Sequence, residues 1–124
     1  MEHTSYLVVT AVAAVANGFS GVVALLRPRA VVERLDARMA ELGVPVSWSR
    51  FPIGTLKTTG AAGLVAGLAG MSTVGVAAAI GLLLFWVCAV HTHLLARDYR
   101  GGAMVAGTFL TVTIAALTVG VAAY

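Results

Sequence analysis

The chain has 124 residues, 60% of them hydrophobic and only 10% charged, with a formal net charge of +3. Soluble domains average about 45–50% apolar and about 25% charged, so this balance excludes an ordinary water-soluble domain and marks an integral membrane protein. The length suits one compact domain, 1–124, and the absence of any nucleic-acid motif removes nucleic acid as an expected partner.

The first apolar stretch, 5–26, predicts a transmembrane helix. It lacks a basic leader and is too long for the core of a cleavable signal peptide. Thr10, Ala13, Asn17, Ser20, Gly21 and Ala24 form a stripe of small and polar residues along it.

The segment 27–50 holds most of the charge. Pro28 can open a helix there, and Gly43 and Pro45 can end it. Val31, Val32, Leu35, Met39 and Leu42 recur on one helical face, predicting a short amphipathic helix over about 29–43 on the cytoplasmic leaflet or against the helices. A surface connector is the plain reading, and a lid over a cytoplasmic opening is the sharper one.

Three more apolar stretches follow, at 51–71, 74–96 and 103–124. Small-residue stripes mark Gly60, Gly63, Gly67 and Gly70 in the second, and Ala77, Gly81, Cys88 and His91 in the third. Thr108, Thr111, Ala115 and Thr118 mark the fourth. Such stripes let membrane helices approach closely. The expected fold class is all-α: an antiparallel four-helix bundle in the membrane with the amphipathic helix between spans one and two.

Loop charge sets the orientation. Arg27, Arg29, Arg34, Arg38 and Arg50 lie in the first loop, and Arg97 and Arg100 in the third, while the second loop is uncharged. The positive loops 27–50 and 97–102 are therefore expected to be cytoplasmic, with both termini outside. Trp48, Phe51 and Tyr99 would mark the inner interface, and Tyr6 and Tyr124 the outer one.

Lys57 is the only formal charge inside any of the four apolar stretches. A lysine in hydrocarbon costs roughly 2.5–3.5 kcal/mol on insertion scales, so its position points to function. At 1.5 Å per residue, Lys57 lies about 9 Å inside the cytoplasmic start of its span, and His91 about 8 Å inside the end of the third. On the same rise His93 lies about 5 Å, Thr108 about 8 Å and Asn17 about 14 Å from the cytoplasmic ends of their spans. Thr111 follows Thr108 on the fourth, so all four helices bring a polar group to the cytoplasmic half. The outer half has almost nothing comparable, which points to one polar cavity in the cytoplasmic half. Lys57 and His91 are the candidate catalytic pair, and Asn17, His93, Thr108 and Thr111 the candidate substrate-binding residues.

Metal binding is not expected. His91 and His93 are about 200° apart around a helix, and zinc patterns are absent. The single cysteine, Cys88, permits no intrachain disulfide.

Three stretches, NGFSGVVALLRP, LGVPVSWSRFPIGTLKTTGAAGLVAGL and AVHTHLLARDYRG, resemble the DoxX-like family of small four-span membrane proteins. The resemblance covers most of the chain, and its second and third stretches are the specific ones. In relatives the polar position in span two is a Glu or a Lys, here Lys57. The family name derives from a subunit associated with a quinol oxidase system, and other relatives are linked to thiosulfate–quinone chemistry. This chain has no redox cysteine pair and no haem site.

The residues thus support a cofactor-free membrane enzyme that isomerises, cyclises or hydrolyses a lipophilic small molecule. The alternatives are an accessory subunit of a quinone-linked redox complex, with a quinone and a redox partner protein, and a non-catalytic structural or assembly protein. Membrane lipid is a partner in every case. The small-residue stripes exceed what one bundle needs, which leaves room for a homodimer.

Overall fold

A computed structural model describes residues 2–99 and 101–123. The roles expected of Arg100 and Tyr124 lie outside the described residues. The described chain is helical almost throughout: α1 (Glu2–Leu26), α2 (Arg29–Glu41), α3 (Thr55–Leu68), α4 (Ser72–Leu95) and α5 (Gly102–Ala123). A 3-10 turn over Val46–Ser49 and a π-helical turn over Arg50–Gly54 lead into α3.

Three of these helices, α1, α4 and α5, are long and apolar enough to cross a membrane. Their outward side chains are correspondingly greasy, with Val15 71%, Phe19 75% and Leu95 72% exposed. The chain is a multi-pass membrane protein. The second stretch differs from expectation: only 14 residues form the regular helix α3. Its start is delayed because Phe51 is extended (φ −137°, ψ 129°) ahead of Pro52, and the chain turns at Gly70, whose φ of +108° requires glycine. At 1.5 Å per residue α3 alone spans about 21 Å, less than the roughly 30 Å of hydrocarbon.

The four apolar helices pack in a ring. α3 lies between α1 and α4, and α5 closes the ring between α4 and α1. The core at its centre holds Ala13, Leu64, Ala79, Leu82, Trp86, Ala106 and Ala116. Trp86 stacks on Phe109 at 4.4 Å between ring centroids and 19° between planes. Glycines set the close approaches. A Cβ on Gly21 would stand 2.7 Å from the Thr58 amide nitrogen of α3, and one on Gly60 would meet Leu82 at 2.5 Å.

The α1 stripe faces inward as expected, with Thr10, Ala13, Asn17, Gly21 and Ala24 buried. The α4 and α5 stripes do not. Ala77, Gly81, Cys88 and His91 are all exposed, while Gly75, Ala79, Leu82 and Trp86 are buried. On α5, Thr108, Thr111 and Thr118 are exposed, and Ala106, Thr113, Ala116 and Gly120 turn in. The reason is local. Each exposed hydroxyl donates to a carbonyl of its own helix, Thr108 to Met104, Thr111 to Gly107 and Thr118 to Ile114, at 2.8–2.9 Å. None of the three needs a partner helix. Tyr6, expected at the outer interface, is also buried, at 6% exposure.

The amphipathic helix forms over 29–41 and ends at Gly43, φ +71°. Arg27 binds Asp36 at 2.8 Å and so ties α2 to the end of α1. Arg38 binds Asp98 in the α4–α5 turn. The apolar face of α2 turns inward, with Met39 buried.

Candidate functional site

Lys57 sits in the first turn of α3, where Gly21 lets α1 come close. Its ammonium donates to Ser20 Oγ at 2.8 Å. The same nitrogen lies 5.0 Å from the Trp86 ring centroid and 5.6 Å from that of Phe85, within cation–π range. Trp86 is itself fixed. Its indole N–H donates to Asn17 Oδ1 at 2.8 Å, and Asn17 Nδ2 donates to the Ala13 carbonyl at 2.8 Å. Asn17 is fully buried, so these two bonds discharge polarity that could not otherwise sit in the core.

Beside Lys57 is a cavity of about 340 Å³. Phe19, Ser20 and Val23 of α1, Ile53 of the π-helical turn and Phe109 of α5 form its walls. Leu35 and Met39 cover it from α2. An ammonium has three N–H groups, and Ser20 takes one. The others can serve an oxygen acceptor in the cavity. The lining is otherwise largely apolar, which suits an amphiphile with one oxygen-bearing end.

The other expected site residues are dispersed. His91 is exposed, and five residues beyond Trp86 on α4 it is turned about 140° away from it. Thr108 and Thr111 are exposed and bond within α5. Asn17 lines neither large cavity and touches Lys57's surroundings through Trp86.

His93 lines a second cavity, of about 430 Å³, between α3, α4 and the 42–53 segment. Its Nδ1 is 3.0 Å from Asp98 Oδ2. Burial pushes the Asp98 carboxyl up, but the Gly102 amide, His93 and Arg38 outweigh that and hold it below the usual carboxylate range. Among the described residues, no group of three or more His, Cys, Asp and Glu is gathered for a metal ion.

Sequence reasoning placed Ser20 in a packing stripe and passed over Phe85, Trp86 and Phe109. Ser20 lies one turn beyond Asn17 on the same α1 face, so the pair could have been read together. The aromatic wall could not, since it depends on which side of α4 turns inward.

A family model described as the DoxX-like family matches residues 8–120. The chain belongs to the DoxX-like family. The DoxX-like match takes in Asn17, Ser20, Lys57, Trp86, His93 and Asp98, so both cavities lie within the family unit. No functionally curated protein matches the chain, and no solved structure does.

Proposed function

We propose that this DoxX-like protein holds a lipophilic small molecule in the Lys57 cavity and acts on it as a cofactor-free acid–base enzyme, an isomerase, cyclase or hydrolase. The observation that carries the reading is the placement of Lys57: its ammonium is oriented by Ser20 and two aromatic faces at the wall of an otherwise largely apolar cavity. An N–H aimed at a carbonyl or enolate oxygen stabilises negative charge that develops there, and gains strength where water is excluded. Lys57 is the reacting group in this scheme, and Ser20 is its positioning partner. His91 is not drawn into it, because it is exposed on another face of α4.

The membrane arrangement that goes with this reading has four crossings. The π-helical turn 50–54 runs into α3, and together they extend the short helix toward the length a crossing needs. The arginine-bearing segments 27–50 and 97–102 are then cytoplasmic, and the cavity opens in that half under α2.

Organic extracts of the purified wild type and of Lys57→Met, compared by mass spectrometry, test the reading. The wild type should retain an oxygen-bearing lipophilic molecule that the variant loses. Identical extracts containing bulk lipid alone would remove the proposal. A second reading, a quinone-linked accessory subunit, is favoured by the same free N–H groups, which fit a quinone carbonyl equally well. A quinone in the wild-type extract would select it, and a biosynthetic intermediate would select the enzyme.

A further inference from the structure

The second cavity is a built site in its own right. It is apolar along most of its length, where Leu56, Leu84 and Cys88 are exposed, and these open it to the hydrocarbon. Its polar side chains are Trp48, Thr92, whose hydroxyl donates to the Cys88 carbonyl of its own helix at 2.9 Å, and His93 at the α4 end, 18% exposed on its side chain. Three elements hold that ring in place. Asp98 accepts from Nδ1 at 3.0 Å and also receives the Gly102 amide and Arg38 of α2. α5 begins with glycine at this point because any Cβ on Gly102 would collide with the His93 ring and the Asp98 carboxylate.

A carboxylate only accepts, so the Nδ1 proton is committed to Asp98. In the neutral ring Nε2 is then an acceptor, and it has no partner among the described residues. An apolar groove that ends in a fixed acceptor is complementary to a hydrophobic molecule carrying a hydroxyl donor. We infer that this groove is a second ligand site, separate from the Lys57 cavity, for a membrane-soluble phenol or alcohol whose hydroxyl donates to His93. Ile53 lines both cavities and forms the wall between them.

Cys88, the single cysteine, lies in the groove and reports on its occupancy. The test measures alkylation of Cys88 by a maleimide in the purified full-length chain in micelles, with para-octylphenol or its methyl ether added. The phenol should protect Cys88 at about five- to tenfold lower concentration than the ether, the worth of one hydrogen bond in an apolar site. His93→Phe should erase that preference. His93→Gln, which offers a carbonyl acceptor near the Nε2 position, should keep part of it. Lys57→Met should leave it unchanged, which separates this site from the proposed active cavity. Equal protection by phenol and ether, or none by either, overturns the inference, since the groove then takes any acyl chain or nothing. Loss of the preference in Lys57→Met with retention in His93→Phe also overturns it, by moving the phenol to the other cavity.

Discussion

Asn17 is fully buried and makes two hydrogen bonds, and one of them fixes the tryptophan over which the Lys57 ammonium sits. Replacing it with alanine leaves the Trp86 indole N–H buried without an acceptor. Asn17→Ala should therefore lower stability by about 1–2 kcal/mol, a little above the usual worth of a polar contact between membrane helices. Thr108→Val, at an exposed hydroxyl bonded to its own helix, should change stability by less than about 0.5 kcal/mol. Reversible unfolding in mixed micelles, followed by tryptophan fluorescence, compares the two. Equal losses would mean that Asn17 is spectator polarity and that the aromatic wall is held by packing alone. The sequence already singled out Asn17 and Lys57, because a polar group deep in an apolar stretch is conspicuous without any structure. It grouped them in one cavity, whereas Asn17 lines no part of the Lys57 cavity and the link runs through Trp86, which is unremarkable by composition.

At the scale of elements, the face of α1 was legible, that of α3 in part, and those of α4 and α5 were not. Gly60, Gly63 and Gly67 meet α4, while Gly70, expected in the same stripe, is exposed in the turn beyond α3. α1 separates its small and polar residues from Val12, Val15, Phe19 and Val22, so its inward side can be read directly. α4 and α5 are apolar all round, and no periodic contrast marks which side meets protein and which meets lipid. The rule that small residues face inward then cannot choose a side, because small residues lie on both. Gly75 and Ala79 of α4 face in while Ala77 and Gly81 face out, and Gly60 of α3 receives a large side chain, Leu82. Close approach requires small residues on only one side of such a contact. Further along, the fit tightens to backbone on backbone: a Cβ on Gly67 would stand 2.7 Å from the Gly75 Cα. Gly67→Ala should force α3 and α4 apart and cost about 1–3 kcal/mol. Gly81→Ala meets nothing within 4 Å and should be neutral or slightly stabilising through helix propensity. Thermal unfolding of the two variants in the same detergent checks this, and a destabilised Gly81→Ala would mean that the outward face of α4 is covered by another chain.

For the whole molecule, α2 lies along one side of the Lys57 cavity, where Leu35 and Met39 line it. α2 is held by Arg27–Asp36 on one side and Arg38–Asp98 on the other. The amphipathic pattern announced the helix, but its inward docking depends on partners sixty residues away in sequence, Arg38 and Asp98, which no local pattern links. Asp98 is the shared point, contacted by His93 of α4, Arg38 of α2 and the first amide of α5. Its folded-state pKa is depressed, so the tether is fully present above the ordinary carboxylate value of about 3.9. It is lost only as pH falls through the lower folded value. Asp98→Asn removes the charge at every pH. Hydrogen exchange of α2 amides should therefore be faster in Asp98→Asn than in wild type at neutral pH. The ratio of the two rates, which cancels the intrinsic pH dependence of exchange, should fall toward one as the pH drops below the usual carboxylate range. A ratio near one already at neutral pH would show that the apolar face of α2 alone holds it over the cavity, and that Asp98 serves only to orient His93 and cap α5.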